Sequence, residues 1–424
     1  MNRPGKNYEG VVVVVGAGAA GQSAAVAAAE AGADVVLLEQ ASGAGRKILA
    51  SGGGRCNLTN HASPAEAAKT FGRQGRFVLP AMEALQPGGL CGWMDRLGTP
   101  TVADEKGRVF PASQKSADVQ AALHRRLGKL GVELRFSRPA ERLWIEDGTL
   151  HGVELHGNRR VAGECVVLAC GGRSWLASAK AADGYTLARQ AGHDITPLTP
   201  ALVPLVTRET WPGRLAGVSL SNARVHLAVR GQSKAGLVGD VLFTHKGLSG
   251  PAILDISGAA AEVLARGQSV PLRLEFLAGL DAAAWSRRLD EWRTTEGRSD
   301  LVKLLRRDLP ASLSEALCEL AGLSPQTPAA ELSREGRGRL SALLGGAELA
   351  VVDTEGFQAA FVTRGGVSLR DVAPDTLQSR LLPGLFFAGE MLDLDGPTGG
   401  YNLCWAFSSG LLAGRSAAGF VKKQ

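Results

Sequence analysis

The 424-residue chain has six cysteines, Cys56, Cys91, Cys165, Cys170, Cys318 and Cys404, and no two stand at C-x-x-C spacing. That excludes a zinc ribbon and a thioredoxin-type pair, and it points to reduced, packed thiols. No apolar run reaches the roughly 18 residues that a membrane helix needs. No run of five basic residues occurs, so the net charge of +6 is scattered along the chain. A basic, aromatic-rich stretch is missing too, which argues against a nucleic-acid partner and for a small-molecule substrate. Arg3 and Lys6 ahead of an apolar run imitate a signal peptide, but cleavage there would destroy the motif described next. The expectation is a soluble, cytoplasmic protein.

What is present begins with five valines over 11–15, which read as a buried parallel strand. Gly16, Gly18 and Gly21 follow in G-x-G-x-x-G spacing and open an Ala-rich helix over 19–31. A second strand over 34–38 ends at Glu39. Gly16 suits a tight turn, Gly18 a close approach to a pyrophosphate, and Gly21 the packing of helix on strand. The helix N-terminus offers unpaired N–H groups to a diphosphate. The Glu39 carboxylate can accept from both ribose hydroxyls of an adenosine, and it argues against the 2′-phosphate of NADP. Ala17, Ala19, Ala20, Gln40 and, further on, Ala140 are expected to line the same end of the cofactor.

The 55 glycines suit a backbone that approaches a cofactor in several places. The segment 142–161 reads as a β-meander with its hairpin turn at Asp147-Gly148, and 166–169 as another buried strand. From 196 to 279, short alternating segments suggest an antiparallel sheet or barrel. From 280 to 348, Trp285, Leu289 and Trp292 share a helical face as core residues. Starts are expected at Asp281, Ser299, Ser312 and Ser333, and stops at Pro310, Gly322 and Gly345. From 349 to 424 the chain returns to the first domain, which spans 1–195, with a strand over 385–388 and a helix over 402–418.

Three further motifs narrow the cofactor to FAD. Gly389-Glu390 follows an apolar strand and suits a ribityl hydroxyl. The helix beginning at Gly399, Gly400, Tyr401 and Asn402 can stabilise charge on a flavin's N1–C2=O edge. Ala169 and Gly171 end a strand that can cross beneath the cofactor. The loop 45–60 places Arg46, Lys47, Arg55, Asn57 and Asn60 among glycines, with basic groups for phosphate and amides for the pyrimidine edge, and Cys56 within it is counted among the cofactor-lining residues.

With these residues, the chain resembles the bacterial FAD-binding flavoproteins known as aminoacetone-oxidase-like or BaiN-like. The motifs at 45–60, 107–113, 244–251 and 389–403 carry that resemblance. It implies an α/β, glutathione-reductase-type FAD fold, a parallel sheet plus β-meander, with an inserted antiparallel β-barrel and a small helical domain. The chain departs from the family at 176–180, after Trp175, where a Pro- and Gly/Thr-containing loop is usual, and at Cys404, where Gln is usual.

Cys56 has no partner five positions on, because His61 stands there, so a flavin-adjacent disulfide is not expected. No second G-x-G-x-x-G follows a strand, so electrons come from a transient NAD(P)H or from the substrate itself. Hydride transfer through flavin N5, reducing an activated C=C bond, is the leading reading. An oxidase of a small amine, an RNA-modifying flavoprotein and a non-catalytic flavin-binding regulator are the alternatives. His245 and Tyr401 are the candidates for proton transfer. Glu39→Ala and Glu390→Ala are each expected to lower the flavin content of the purified protein. Wild-type content in either variant would discard that assignment.

Overall fold

The computed structural model describes residues 10–84, 87–174, 184–229, 231, 233 and 235–422. The chain forms two units. One holds the residues up to Leu198 and those from Val362 onward, and the other is Thr199–Phe361.

The first unit is built on a five-stranded parallel sheet. In spatial order its strands are Leu385–Phe387, Cys165–Leu168, Val11–Val15, Asp34–Leu38 and Glu133–Arg135. The central valines are fully buried because helices cover both faces of such a sheet. The register aligns Val15 with both Leu38 and Leu168, and Leu168 with Phe387. Gly16, Glu39, Ala169 and Ala388 therefore leave four neighbouring strands at one level.

The Ala-rich helix Ala19–Glu30 packs against the C-terminal helix Tyr401–Val421 at backbone distance. A Cβ on Gly410 would stand 2.2 Å from Ala20 O, and one on Gly414 would stand 2.2 Å from Ala24 O. Contacts advance in the same direction along both helices, so the two run parallel. Three strands, Ala140–Glu146, Thr149–Leu155 and Arg159–Ala162, form the expected meander. Its hairpin turns at Asp147 and Gly148, both with positive φ (49° and 76°).

The second unit is a closed six-stranded barrel with helices. Its order is Leu205–Thr207, Gly247–Ser249, Leu237–Thr244, Ser219–Leu227, Val270–Glu275 and Ala347–Thr354. The expected return to the first domain at 349 is corrected to 362. Ala347–Thr354 pairs with both Val270–Glu275 and Leu205–Thr207, and without it the barrel would stay open. The expected separate helical domain over 280–348 shares one core with the barrel instead. Trp285, Leu289 and Trp292 cluster with Leu272, Leu274 and Val351.

Asp281 and Ser333 cap their helices, accepting from Ala284 N at 2.7 Å and Gly336 N at 3.0 Å. Pro310, expected as a stop, instead precedes the helix Ala311–Leu320, which begins ahead of Ser312. Helix Pro251–Leu264 has no counterpart in the sequence reading. Its buried run of Ser257, Gly258, Ala259, Ala260 and Ala261 is too small-sided to stand out, although Pro251 at its first turn is a start signal.

One buried titratable group bears on stability. His193 is 2% exposed, with Nε2 at 2.7 Å from Ser379 Oγ. That hydroxyl already accepts from Leu381 N and Leu382 N, so it donates to Nε2, which fixes a neutral ring. Burial lowers the His193 pKa from 6.5, opposed by Asp371 and Asp194. Folded His193 thus resists a proton that the unfolded chain accepts, so stability is full above that value and is lost as pH falls below it. The Tm of the wild type should fall more between about pH 7 and about pH 5 than that of His193→Asn. Equal slopes in a thermal-melt series would refute this.

Candidate functional site

Because the four strand ends are level, the motifs meet at the carboxyl edge of the sheet, the usual ligand edge of such folds. Gly16 has φ 101°, and a Cβ there would stand 2.5 Å from Ala169 O. A Cβ on Gly21 would stand 1.7 Å from Gly16 O. Gly18 differs, since nothing lies within 4 Å of the position its Cβ would take. Two of the glycines are therefore required by packing, whereas the third borders open space at the start of helix Ala19–Glu30. That helix has no side-chain cap.

Glu39 is fixed before any ligand arrives. Its Oε2 accepts from Ala17 N and its Oε1 from Ala41 N, both at 2.8 Å. Two of its roughly four acceptor positions remain for hydroxyls. Gln40 beside it is exposed. Arg138 N donates to Glu39 O and Ser137 N to Ala41 O, which brings the meander, and with it the buried Ala140, to this end of the site.

The other end is assembled from the chain's last part. Gly389 has φ 72°, and a Cβ there would stand 2.8 Å from Ala20 Cβ. Its N–H donates to Ser409 Oγ at 2.9 Å, and its carbonyl accepts from Trp405 Nε1 at 3.1 Å. The helix Tyr401–Val421 starts at Gly400, also without a side-chain cap. Two uncapped, parallel helices thus present their positive ends at the same edge of the sheet, Ala19–Glu30 beside Gly18 and Tyr401–Val421 at Gly400.

The loop residues divide. Arg46 is exposed, and among the described residues it has no hydrogen bond or ion pair, so its charge is available beside the fingerprint. Gly45 N donates to Ala17 O, which ties the two together. Lys47, expected to neutralise phosphate, instead pairs with Glu390 Oε2 at 2.6 Å and donates to Ser174 Oγ at 2.7 Å. The Arg55 guanidinium lies 4.8 Å from the Phe110 ring centroid.

Asn57, expected at a pyrimidine edge, spends its amide inside the protein. Its Oδ1 accepts from Gly400 N at 3.1 Å, and its Nδ2 donates to Thr59 O and Val109 O. Asn402 likewise holds its own loop through Gly396 N and Gly396 O. Cys56 is fully buried and desolvation pushes its thiol up to about 11, so it is a packed thiol and no nucleophile. Cys404 is buried against Met82 and Ser408, and burial raises its pKa.

His245 is exposed on the turn between Leu237–Thr244 and Gly247–Ser249, in the second unit. Tyr401 opens the C-terminal helix. The family departure at 176–180 lies outside the described residues. Ser174 and Thr363 belong to the Glu390 cluster and escaped the sequence reading. Ser174, just past Gly171-Gly172, could have been suspected, but Thr363, an isolated threonine in the strand Val362–Val367, carries no signal.

Residues 10–416 match the HI0933-like protein Rossmann domain. The chain is 34% identical to a 3-dehydro-bile acid delta(4,6)-reductase of Clostridium scindens over 412 residues, 96% of this chain and 98% of that protein. It is 30% identical to a ribosomal RNA dihydrouridine synthase of Escherichia coli over 398 residues, 94% and 95% of the two. In structure it resembles a 3-ketosteroid delta1-dehydrogenase from Sterolibacterium denitrificans, with a TM-score of 0.53 at 15% identity, covering 97% of this chain and 100% of that one. No helix among the described residues is long and apolar enough to cross a membrane.

The glycine geometry separates fold from binding. Gly21→Ala should lower the Tm of the flavin-free protein. Gly18→Ala should leave that Tm in place and weaken FAD binding at least about tenfold, as a methyl group enters the open space. Equal FAD affinity for wild type and Gly18→Ala in a titration would refute the assignment of that space.

Proposed function

The chain belongs to the HI0933-like Rossmann-domain family of FAD-dependent oxidoreductases, and on that premise we propose that it reduces an activated C=C bond with NAD(P)H as donor. The observation that carries the cofactor is the meeting of motifs from both ends of the chain at one sheet edge. A dinucleotide with a long polyol link needs such a span, and the residues present fit it. Glu39 takes the ribose hydroxyls. The open space at Gly18, the uncapped helix behind it and Arg46 take the diphosphate. Gln40 and Ala140 border the adenosine end. Ala169 and Gly171 pass beneath the middle, Glu390 takes a polyol hydroxyl, and the N–H groups at Tyr401 and Asn402 face the pyrimidine edge.

FAD, once bound, supplies hydride transfer, and the protein supplies position and charge. Reduction of a polarised double bond also requires a proton at the second carbon. Tyr401, at the mouth of the C-terminal helix, is the candidate donor. The names of the two relatives support reduction. One is a delta(4,6)-reductase of a bile acid, and the other makes a dihydro derivative of a pyrimidine nucleoside.

The second relative also favours a second reading, in which the double bond belongs to a base in RNA. The scattered basic residues speak for the small molecule, since RNA binding draws on gathered positive charge.

Anaerobic stopped-flow mixing with NADH or NADPH should bleach the visible flavin absorbance within about a second, and a steroid-like enone should restore it. Colour restored by oxygen but by no enone would favour an oxidase, and no bleaching at all would refute the reductase. Restoration by a uridine-containing ribosomal RNA and not by enones would transfer the assignment to the second reading.

A further inference from the structure

Glu390 sits in a network larger than its expected role requires. Its Oε1 accepts from Ser174 Oγ at 2.8 Å and from Thr363 N at 2.8 Å, which fills both lone pairs of that oxygen. Among the described residues, its Oε2 accepts from Lys47 Nζ alone, at 2.6 Å. The Lys47 ammonium spends one of its other donors on Ser174 Oγ. One acceptor position on Oε2 and one donor on Nζ therefore remain side by side.

Thr363 organises the rest. It is completely buried, and its Oγ1 accepts from Arg173 N at 2.8 Å and Ser174 N at 3.0 Å. It thereby clamps the loop that carries Ser174 onto the strand Val362–Val367. Gly172 makes this approach possible, because a Cβ there would stand 2.5 Å from both Glu390 Oε1 and Thr363 Oγ1.

We propose that Ser174 and Thr363 are positioning residues of the cofactor site. By saturating one oxygen of Glu390 and anchoring Lys47, they leave Oε2 and Nζ as a paired acceptor and donor for a single hydroxyl of a polyol chain. That hydroxyl donates to the carboxylate and accepts from the ammonium, which a carboxylate alone does not offer. The inference rests on the FAD reading. It also changes what Lys47 is for, since its charge serves the polyol segment and not the diphosphate.

The test uses full-length, flavin-free protein titrated with FAD and followed by flavin fluorescence. Ser174→Ala and Thr363→Val should each raise the Kd for FAD about tenfold or more, and Thr363→Ser, which keeps the hydroxyl, should restore it to within about threefold of wild type. In a Glu390→Ala background, Ser174→Ala should have a clearly smaller effect than in the wild type, because much of its action runs through that carboxylate and only the anchoring of Lys47 is left. Should Thr363→Val fail to fold, Ser174→Ala and the double variant still decide the matter. Unchanged Kd in Ser174→Ala, or full additivity with Glu390→Ala, would overturn the inference while leaving the protein a flavoprotein. A wild type that takes up no FAD would bring down the cofactor reading itself, and the inference with it.

Discussion

The first unit depends on the contact between helix Ala19–Glu30 and helix Tyr401–Val421. Two parallel helices lie against each other only because Gly410 and Gly414 expose bare backbone to Ala20 and Ala24. Any larger side chain at those points would force the axes apart. The contact is offset, because Ala20 in the first turn of one helix meets Gly410, well past the start of the other, so their positive ends lie roughly 12 Å apart along the shared direction at about 1.5 Å per residue. Each helix start therefore keeps its own patch of positive potential, at a separate point beyond the sheet.

This contact explains features that otherwise look unrelated. The first helix is Ala-rich because it is enclosed by the sheet on one side and the C-terminal helix on another, with no room for longer side chains. Gly389 has no side chain because its strand ends against Ala20. Ser409 and Trp405 hold the backbone of Gly389 from the C-terminal helix, and so place Glu390 relative to the fingerprint. Packing and cofactor geometry are the same problem here, solved by small residues.

The parts of this architecture that were legible in the sequence share a cause. The valine strand, the three glycines, Glu39, the Asp147-Gly148 turn and the last strand each follow from local chemistry, in which neighbours in sequence decide the outcome. What escaped depends on distant partners. The barrel boundary was misplaced because Ala347–Thr354 alternates like any edge strand, and only its pairing assigns it to the inserted unit. Lys47 and Asn57 were read with the loop 45–60 alone, but their partners, Glu390 and Gly400, lie more than 300 residues away in sequence. Thr363 could not be suspected, because a single buried hydroxyl leaves no pattern.

The sheet order has a consequence for how the protein is made. The strand Val11–Val15 emerges from the ribosome long before one of its two neighbours, Cys165–Leu168. That strand's outer partner, Leu385–Phe387, and the covering helix come later still. The barrel closes in the meantime, once Ala347–Thr354 has appeared. Vectorial synthesis therefore completes the inserted unit before its host. The strand Val11–Val15 and its helix therefore wait for partners made hundreds of residues later, and a chain stopped short of Tyr401 lacks the helix that packs on Ala19–Glu30.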